Sequence, residues 1–159
     1  MRQDEDLYES SAEAMLRRRR RAKTGRVVIK ASELKWQDTR QGRLAYYLIE
    51  GITDTAVQDW KIFQHRIHTH SGKHTHQGGL ALYIVDGRGS TVVNGQREEW
   101  AEGDLCLLPV MDGGVEHQHF NAEPGSSCVW VGFIYTPHQY LTGDQFEQNE
   151  DVDVRESAR

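Results

Sequence analysis

The chain has 159 residues, a hydrophobic share of 37% and a formal net charge of −5. That length suits one compact domain with tails, and four Phe and four Trp support one modest core rather than two. No apolar run approaches the roughly 20 residues of a membrane-spanning helix, and the acidic-then-basic start has no apolar leader core, so no membrane partner is expected and the expected location is cytoplasmic.

Taken in order, residues 4–22 read as a helix. Its first half is acidic (Asp4, Glu5, Asp6, Glu9, Glu13) and its second half carries five consecutive arginines, Arg17 to Arg21, a polarity that the helix macrodipole favours. No aromatic side chains are interleaved with the arginines, so no nucleic-acid partner is expected. Leu7, Ala14 and Met15 form a narrow apolar face suited to docking on a neighbouring subunit. Thr24-Gly25 ends the helix, Arg26–Lys30 reads as a short β-branched strand, and Ser32–Gly42 as a polar connection with room for one helical turn.

From Leu44 the pattern becomes all-β. Strands are expected at 44–50, 60–67, 80–85, 90–93, 96–100, 105–108, 115–120 and 127–136. Asp86-Gly87-Arg88-Gly89 reads as a tight turn with two glycines free to take positive φ, and Asn94-Gly95 is the strongest hairpin signal in the chain. His68 to His76 reads as a histidine-rich loop. From Asp144 onward six acids face two arginines, and the segment after Pro137 reads as a mobile tail. The expected organisation is an N-terminal helical extension (1–25), one β-domain (26–137) and an acidic, flexible tail (138–159). Short strands with glycine turns and a single helix argue for a β-barrel or jelly roll. Cys106 and Cys128 sit in apolar strands outside any CxxC, which predicts buried free thiols.

The eight histidines carry the functional signal. Five fall within twelve residues (His65, His68, His70, His74, His76), His117 and His119 follow about forty residues later, and His138 stands alone. Two histidines separated by one residue share a strand face, so one metal ion can take both, and a third from a neighbouring strand would complete a facial set.

The motifs resemble those of the cupin superfamily. His74-Thr75-His76, then Gln77-Gly78-Gly79, Leu80 and, six residues on, Gly87 are similar to the first cupin motif; Gly103, Pro109, Gly113 or Gly114, His117 and Asn121 are similar to the second. The rival pair His68-Thr69-His70 would put Ala81 or Leu82 where the closing glycine belongs. Two departures stand out. The glycine usual six residues before the first histidine is His68, and the usual glutamate is Leu80, a residue that packs a core and cannot ligate.

The resemblance implies an all-β double-stranded β-helix (jelly-roll barrel) holding one divalent metal ion on His74, His76 and His117, with no carboxylate ligand. Among cupins this pattern looks most like the three-histidine gentisate 1,2-dioxygenase branch, which implies Fe(II) first, with Zn, Ni, Mn or Cu as alternatives, and dioxygen plus a small anionic substrate (an aromatic acid or a diketone) as partners. His119, on the same strand face as His117, is the expected acid–base group. Arg66 is ranked above Lys73 and Gln64 for gripping the substrate anion, because a guanidinium makes two parallel hydrogen bonds to a carboxylate. The resemblance also implies a homodimer. The readings from other classes are a non-redox isomerase or lyase using Zn, Ni or Mn, and a non-catalytic small-molecule-binding module.

Overall fold

Alternation of inward and outward side chains organises residues 37–150 into eleven strands. The computed structural model describes residues 6–153. In chain order they form α1 (Leu7–Thr24), then β1 (Gln37–Thr39), β2 (Gly42–Leu48), β3 (Trp60–Ile67), β4 (Lys73–His76), β5 (Leu80–Asp86), β6 (Arg88–Val93), β7 (Gln96–Ala101), β8 (Leu105–Leu108), β9 (Val115–Asn121), β10 (Cys128–Tyr135), α2 (Thr136–Leu141) and β11 (Phe146–Glu150). A six-stranded sheet runs β1-β2-β3-β10-β5-β8, and a five-stranded sheet runs β11-β4-β9-β6-β7. Every ladder is antiparallel and stays within its own sheet.

The core follows from the period of two. In β5, Leu80, Leu82 and Ile84 are buried while Tyr83 and Val85 face out; in β9, Val115, His117 and His119 are buried while Glu116 and Gln118 are less so. Ile67, Leu82, Ile84, Trp100, Leu108, Cys128 and Trp130 close into one apolar cluster. Both cysteines are free, and burial pushes the Cys128 thiol up to about 12. The Asn94-Gly95 turn takes positive φ at both residues (47° and 84°), the type I′ geometry whose twist matches the flanking strands.

Helix α1 starts where Asp6 accepts the Tyr8 and Glu9 N–H groups and ends at Gly25. The expected start at residue 4 lies outside the described residues. No α1 residue is buried; its tie to the body is Arg21, which donates to the Gln58 side chain at 2.6 Å and faces Asp54.

Several expectations are corrected. Arg26–Lys30 is not a strand: apart from one bridge between Arg26 and Thr55 it has no partner, and Val27 and Val28 lie in solvent. β-Branched composition makes a strand only where a sheet edge receives it. The connection 32–42 contains β1, a strand too short and polar to read. The loop 68–76 ends in β4. The segment 86–89 is not a hairpin turn but a corner, since β5 and β6 belong to different sheets. Only Gly87 takes positive φ there (80°); Gly89 is a strand residue whose hydrogen faces the Phe120 carbonyl and the Trp100 ring. The acidic segment after 138 carries α2 and β11, and β11 pairs along β4.

A methyl group at Gly89 would lie 2.1 Å from the Phe120 oxygen and 2.4 Å from Trp100, whereas one at Gly95 meets nothing within 4 Å. Gly89→Ala is therefore expected to destabilise the fold by about 2 kcal/mol or more. Gly95→Ala is expected to lose about 1 kcal/mol through its positive φ alone. Urea unfolding of both variants beside the wild type checks the order.

Candidate metal centre

Three histidines meet because two short strands pair in one register. Across β4 and β9, His74 lies opposite His117 and His76 opposite Val115. His74 and His76 share a face by alternation, and the cross-strand partner supplies the third ring. One nitrogen from each ring falls within 4.8 Å of the others. Ring centroids are 4.1 Å apart for His74–His117, 4.7 Å for His76–His117 and 5.4 Å for His74–His76. Immediately after β4, Gly78 and Gly79 take positive φ (84° and 73°) and swing the chain towards β5. This turn brings the Gly78 N–H to His76, where it donates to Nδ1 at 2.8 Å. With Nδ1 accepting, the neutral ring carries its proton on Nε2; to serve as a neutral ligand through Nε2 the ring would carry its proton on Nδ1 instead and give up this bond. His117 Nδ1 lies 3.3 Å from the Val115 carbonyl; as an N–H donor to it, the ring leaves Nε2 as its free donor.

The cluster lines a cavity of about 410 Å³ between the sheets. Leu44, Leu80, Leu82, Trp130 and Ile134 make apolar wall, and Lys61, Asp144, Gln139 and Gln145 bring polar groups. Phe146 of β11 lies beside His74, with centroids 5.5 Å apart.

Burial sets the electrostatics. It lowers His65 to about 3, and His74 and His76 to about 4; neighbouring rings and Lys61 push the same way. His117 and His119 lie well below the ordinary range, again through burial and then through the other histidines. At neutral pH all five rings are uncharged and their lone pairs are available. Among the described residues, seven buried side-chain polar atoms have no hydrogen-bond partner, and five belong to cavity-lining residues: His65 Nε2, His74 Nδ1, His76 Nε2, Gln77 Oε1 and Trp130 Nε1. Buried polar groups are ordinarily paired. Two of the five, on His74 and His76, belong to the three-histidine cluster, and three neutral nitrogen donors suit a borderline divalent metal.

The expected site residues divide. His74, His76 and His117 are brought together. His119 is 1% exposed, lines the same cavity and stands 5.2 Å from His117 between ring centroids. Its Nδ1 is 2.8 Å from Thr91 Oγ1, which also accepts the Trp100 indole N–H at 2.9 Å. Leu80 is buried core. Asn121 holds the turn after β9 through the His68 and Glu123 carbonyls. Arg66 is not at the cavity. It neighbours His65 in β3 and so points to the opposite face, where its guanidinium stacks on Trp36 at 4.7 Å. Lys73 pairs with Glu150, and Gln64 donates to Tyr47 Oη; neither lines the cavity. His70 turns to the Ser71 carbonyl and Gln118, outside the pocket.

Lys61 and His65 went unassigned to the site although a signal existed: with Phe63 they share one face of β3, the cavity face. Gln139, Asp144, Gln145 and Phe146 had none, since α2 and β11 return to the site only through a long-range pairing with β4.

No family model and no curated protein matches the chain. Solved structures do. A cupin-like protein from Thermotoga maritima is 20% identical, with 82% of this chain and 89% of that chain covered and a TM-score of 0.51. A variant of Streptomyces PAC13 solved with uridine is 11% identical, with 82% and 97% covered and a TM-score of 0.57. A variant of the salicylate 1,2-dioxygenase of Pseudoaminobacter salicylatoxidans, solved with gentisate, is 18% identical, with 88% of this chain but 37% of that chain covered and a TM-score of 0.53. At such identities the likeness is one of fold: this chain has the cupin fold, two antiparallel sheets and an N-terminal helix, and it carries a three-histidine cluster capable of holding a divalent metal ion. No helix among the described residues is long and apolar enough to cross a membrane.

The lowered histidines make stability depend on pH in one direction. Each ring binds its proton in the unfolded chain near the ordinary value of 6.5, and in the folded metal-free protein only near 3 or 4. Their contribution is therefore complete above about pH 6.5 and is lost as pH falls towards 4, at about 1.4 kcal/mol per pH unit for each ring. Urea midpoints of the metal-free protein are expected to hold steady above neutrality and drop steeply below about pH 6.5. His65→Gln is expected to flatten that slope by one ring, whatever its absolute stability.

Proposed function

We propose that this protein is a mononuclear metal-dependent enzyme, an Fe(II) dioxygenase acting on a small, oxygenated anionic substrate such as an aromatic acid or a diketone. The observation that carries the reading is the convergence of three neutral imidazoles, two buried and one half-buried, without a carboxylate, on a largely apolar cavity with unpartnered polar atoms. His74, His76 and His117 would hold the ion. Bound there, Fe(II) would supply Lewis acidity towards a chelating substrate and electrons for dioxygen.

The chain's own residues supply the rest. Leu80 occupies the place of a carboxylate ligand, so the donor set adds no negative charge and leaves room for an anion. The walls of Leu44, Leu82, Trp130 and Ile134 exclude water from the reacting face. His119 holds a proton beside the cluster. Thr91 accepts from Trp100 and is free to donate its own hydroxyl proton to His119 Nδ1, which leaves the His119 proton on Nε2. The ring is neutral at working pH, so it offers its Nε2–H as a hydrogen-bond donor rather than a standing cation. The fold shared with a dioxygenase solved with gentisate, an aromatic acid, supports the substrate class.

Freshly purified wild type is expected to carry near-stoichiometric metal, which His74→Ala loses. After anaerobic Fe(II) loading, an oxygen electrode is expected to register uptake that requires both Fe(II) and a member of a panel of aromatic acids and diketones. Metal without substrate-dependent uptake would replace the dioxygenase by a non-redox isomerase or lyase. Failure to take up metal at all would overturn the site.

The exposed apolar side chains Leu7, Met15 and Leu16 of α1, and Leu105 and Leu107 on the outer face of β8, support a homodimer. Light scattering coupled to size exclusion is expected to give twice the chain mass.

A further inference from the structure

Two charged side chains at the cavity have no part in the metal cluster, Lys61 and Asp144. Lys61 sits on the cavity face of β3, opposite Ile134 and four residues before His65. Among the described residues it enters no ion pair within 4.0 Å; Asp144 acts on it across a longer gap. Asp144 is itself held in an uncommon backbone state, φ 44°, with its carboxylate accepting from the Gln139 side chain and its N–H donating to the Gln139 carbonyl at 3.0 Å. The turn after α2 therefore places a solvent-exposed carboxylate at the cavity rim. A divalent ion on three neutral rings, with an ammonium nearby, leaves the pocket with positive charge that one rim carboxylate does not balance. The rest of the lining is mainly apolar, interrupted by Gln41, Gln77, Gln139 and Gln145.

We propose that Lys61 is the anion anchor of this cavity, gripping the carboxylate of a compact, largely apolar monocarboxylic acid beside the three-histidine cluster, and that Asp144 is the internal competitor which the incoming carboxylate replaces. This rests on the reading that the pocket receives a small anion, and it moves the anion-binding role from Arg66 to a residue on the cavity side of the same strand. Lys61 selects the substrate's charge, the apolar wall selects its body, and Asp144 repels acids carrying a second exposed carboxylate.

The test uses the full chain, metal-free and Zn-loaded, titrated calorimetrically with salicylate, with its neutral isostere salicylamide, and with the dicarboxylate phthalate. Wild type is expected to prefer salicylate to both. Lys61→Met is expected to lose about 10- to 100-fold in salicylate affinity, Lys61→Arg to recover part of it, and Asp144→Asn to gain several-fold and to accept phthalate. Zn stoichiometry and the thermal melt, read on each variant, are expected to match wild type. Undiminished salicylate binding in a folded, Zn-binding Lys61→Met overturns the anchor while leaving the metal centre intact. Lys61-dependent binding in a protein that takes no metal keeps the anchor and removes the metal centre. Wild type that binds none of the three probes, or binds salicylamide as tightly as salicylate, overturns the proposal.

Discussion

The pairing of β4 with β9 is the contact on which the site depends. β4 is four residues long, too short to hold itself, and yet it must fix two imidazoles against a third. It does so because it is not an edge: β9 pairs along one side and β11 along the other. Register is exacting here. A slip of one residue would turn Thr75 inward and both histidines out, since side chains alternate with period two. β11 guards the register with side chains as well as ladder bonds, through Lys73 to Glu150 and Thr75 to Asn149. The acidic segment that looks dispensable by composition is thus the outer clamp of the strand that carries two of the three clustered histidines.

The cost of that arrangement is visible in the polar atoms. Burying four imidazoles and half-burying a fifth in one pocket removes water from groups that hydrogen-bond well, and the protein satisfies some of them by backbone means, Gly78 to His76 and Val115 to His117. Others stay unmet on the cavity side. A core built for stability alone would have apolar residues there, as it has at Leu80, Leu82 and Ile134. The imbalance is local, and its location is the functional statement. The same desolvation keeps the rings neutral, so that donors stay ready for a cation at physiological pH.

Charge placement then distinguishes the two faces of one strand. β3 carries Lys61, Phe63 and His65 towards the cavity and Gln64 and Arg66 away from it. Arg66 was the chemically better carboxylate partner by residue type, yet residue type does not decide access. Parity along the strand does, and His65 is part of the cavity wall, packed edge-on against Trp130. The cation on the cavity side stands two residues before Phe63 on the same count.

Much of the fold was legible because its signals are local. Alternation in 60–67, 80–85 and 115–120 defined strands, Asn94-Gly95 required a type I′ turn, and the two His-x-His pairs announced donors sharing a face. The resemblance to the cupin motif, with Leu80 at the place of its glutamate, implied without any structure a donor set that lacks a carboxylate. The sequence by itself therefore determined the all-β architecture, the histidines of the cluster and the chemistry those ligands allow, since period, turn conformation and side-chain type are properties of a few adjacent residues. Only the tertiary structure decided that 86–89 is a corner between sheets, that 26–30 finds no sheet, that Arg66 faces Trp36, and that residues 139–150 cover the site. Each of these depends on which distant strand lies alongside, a choice made by burial and register over the whole chain and written in no single segment.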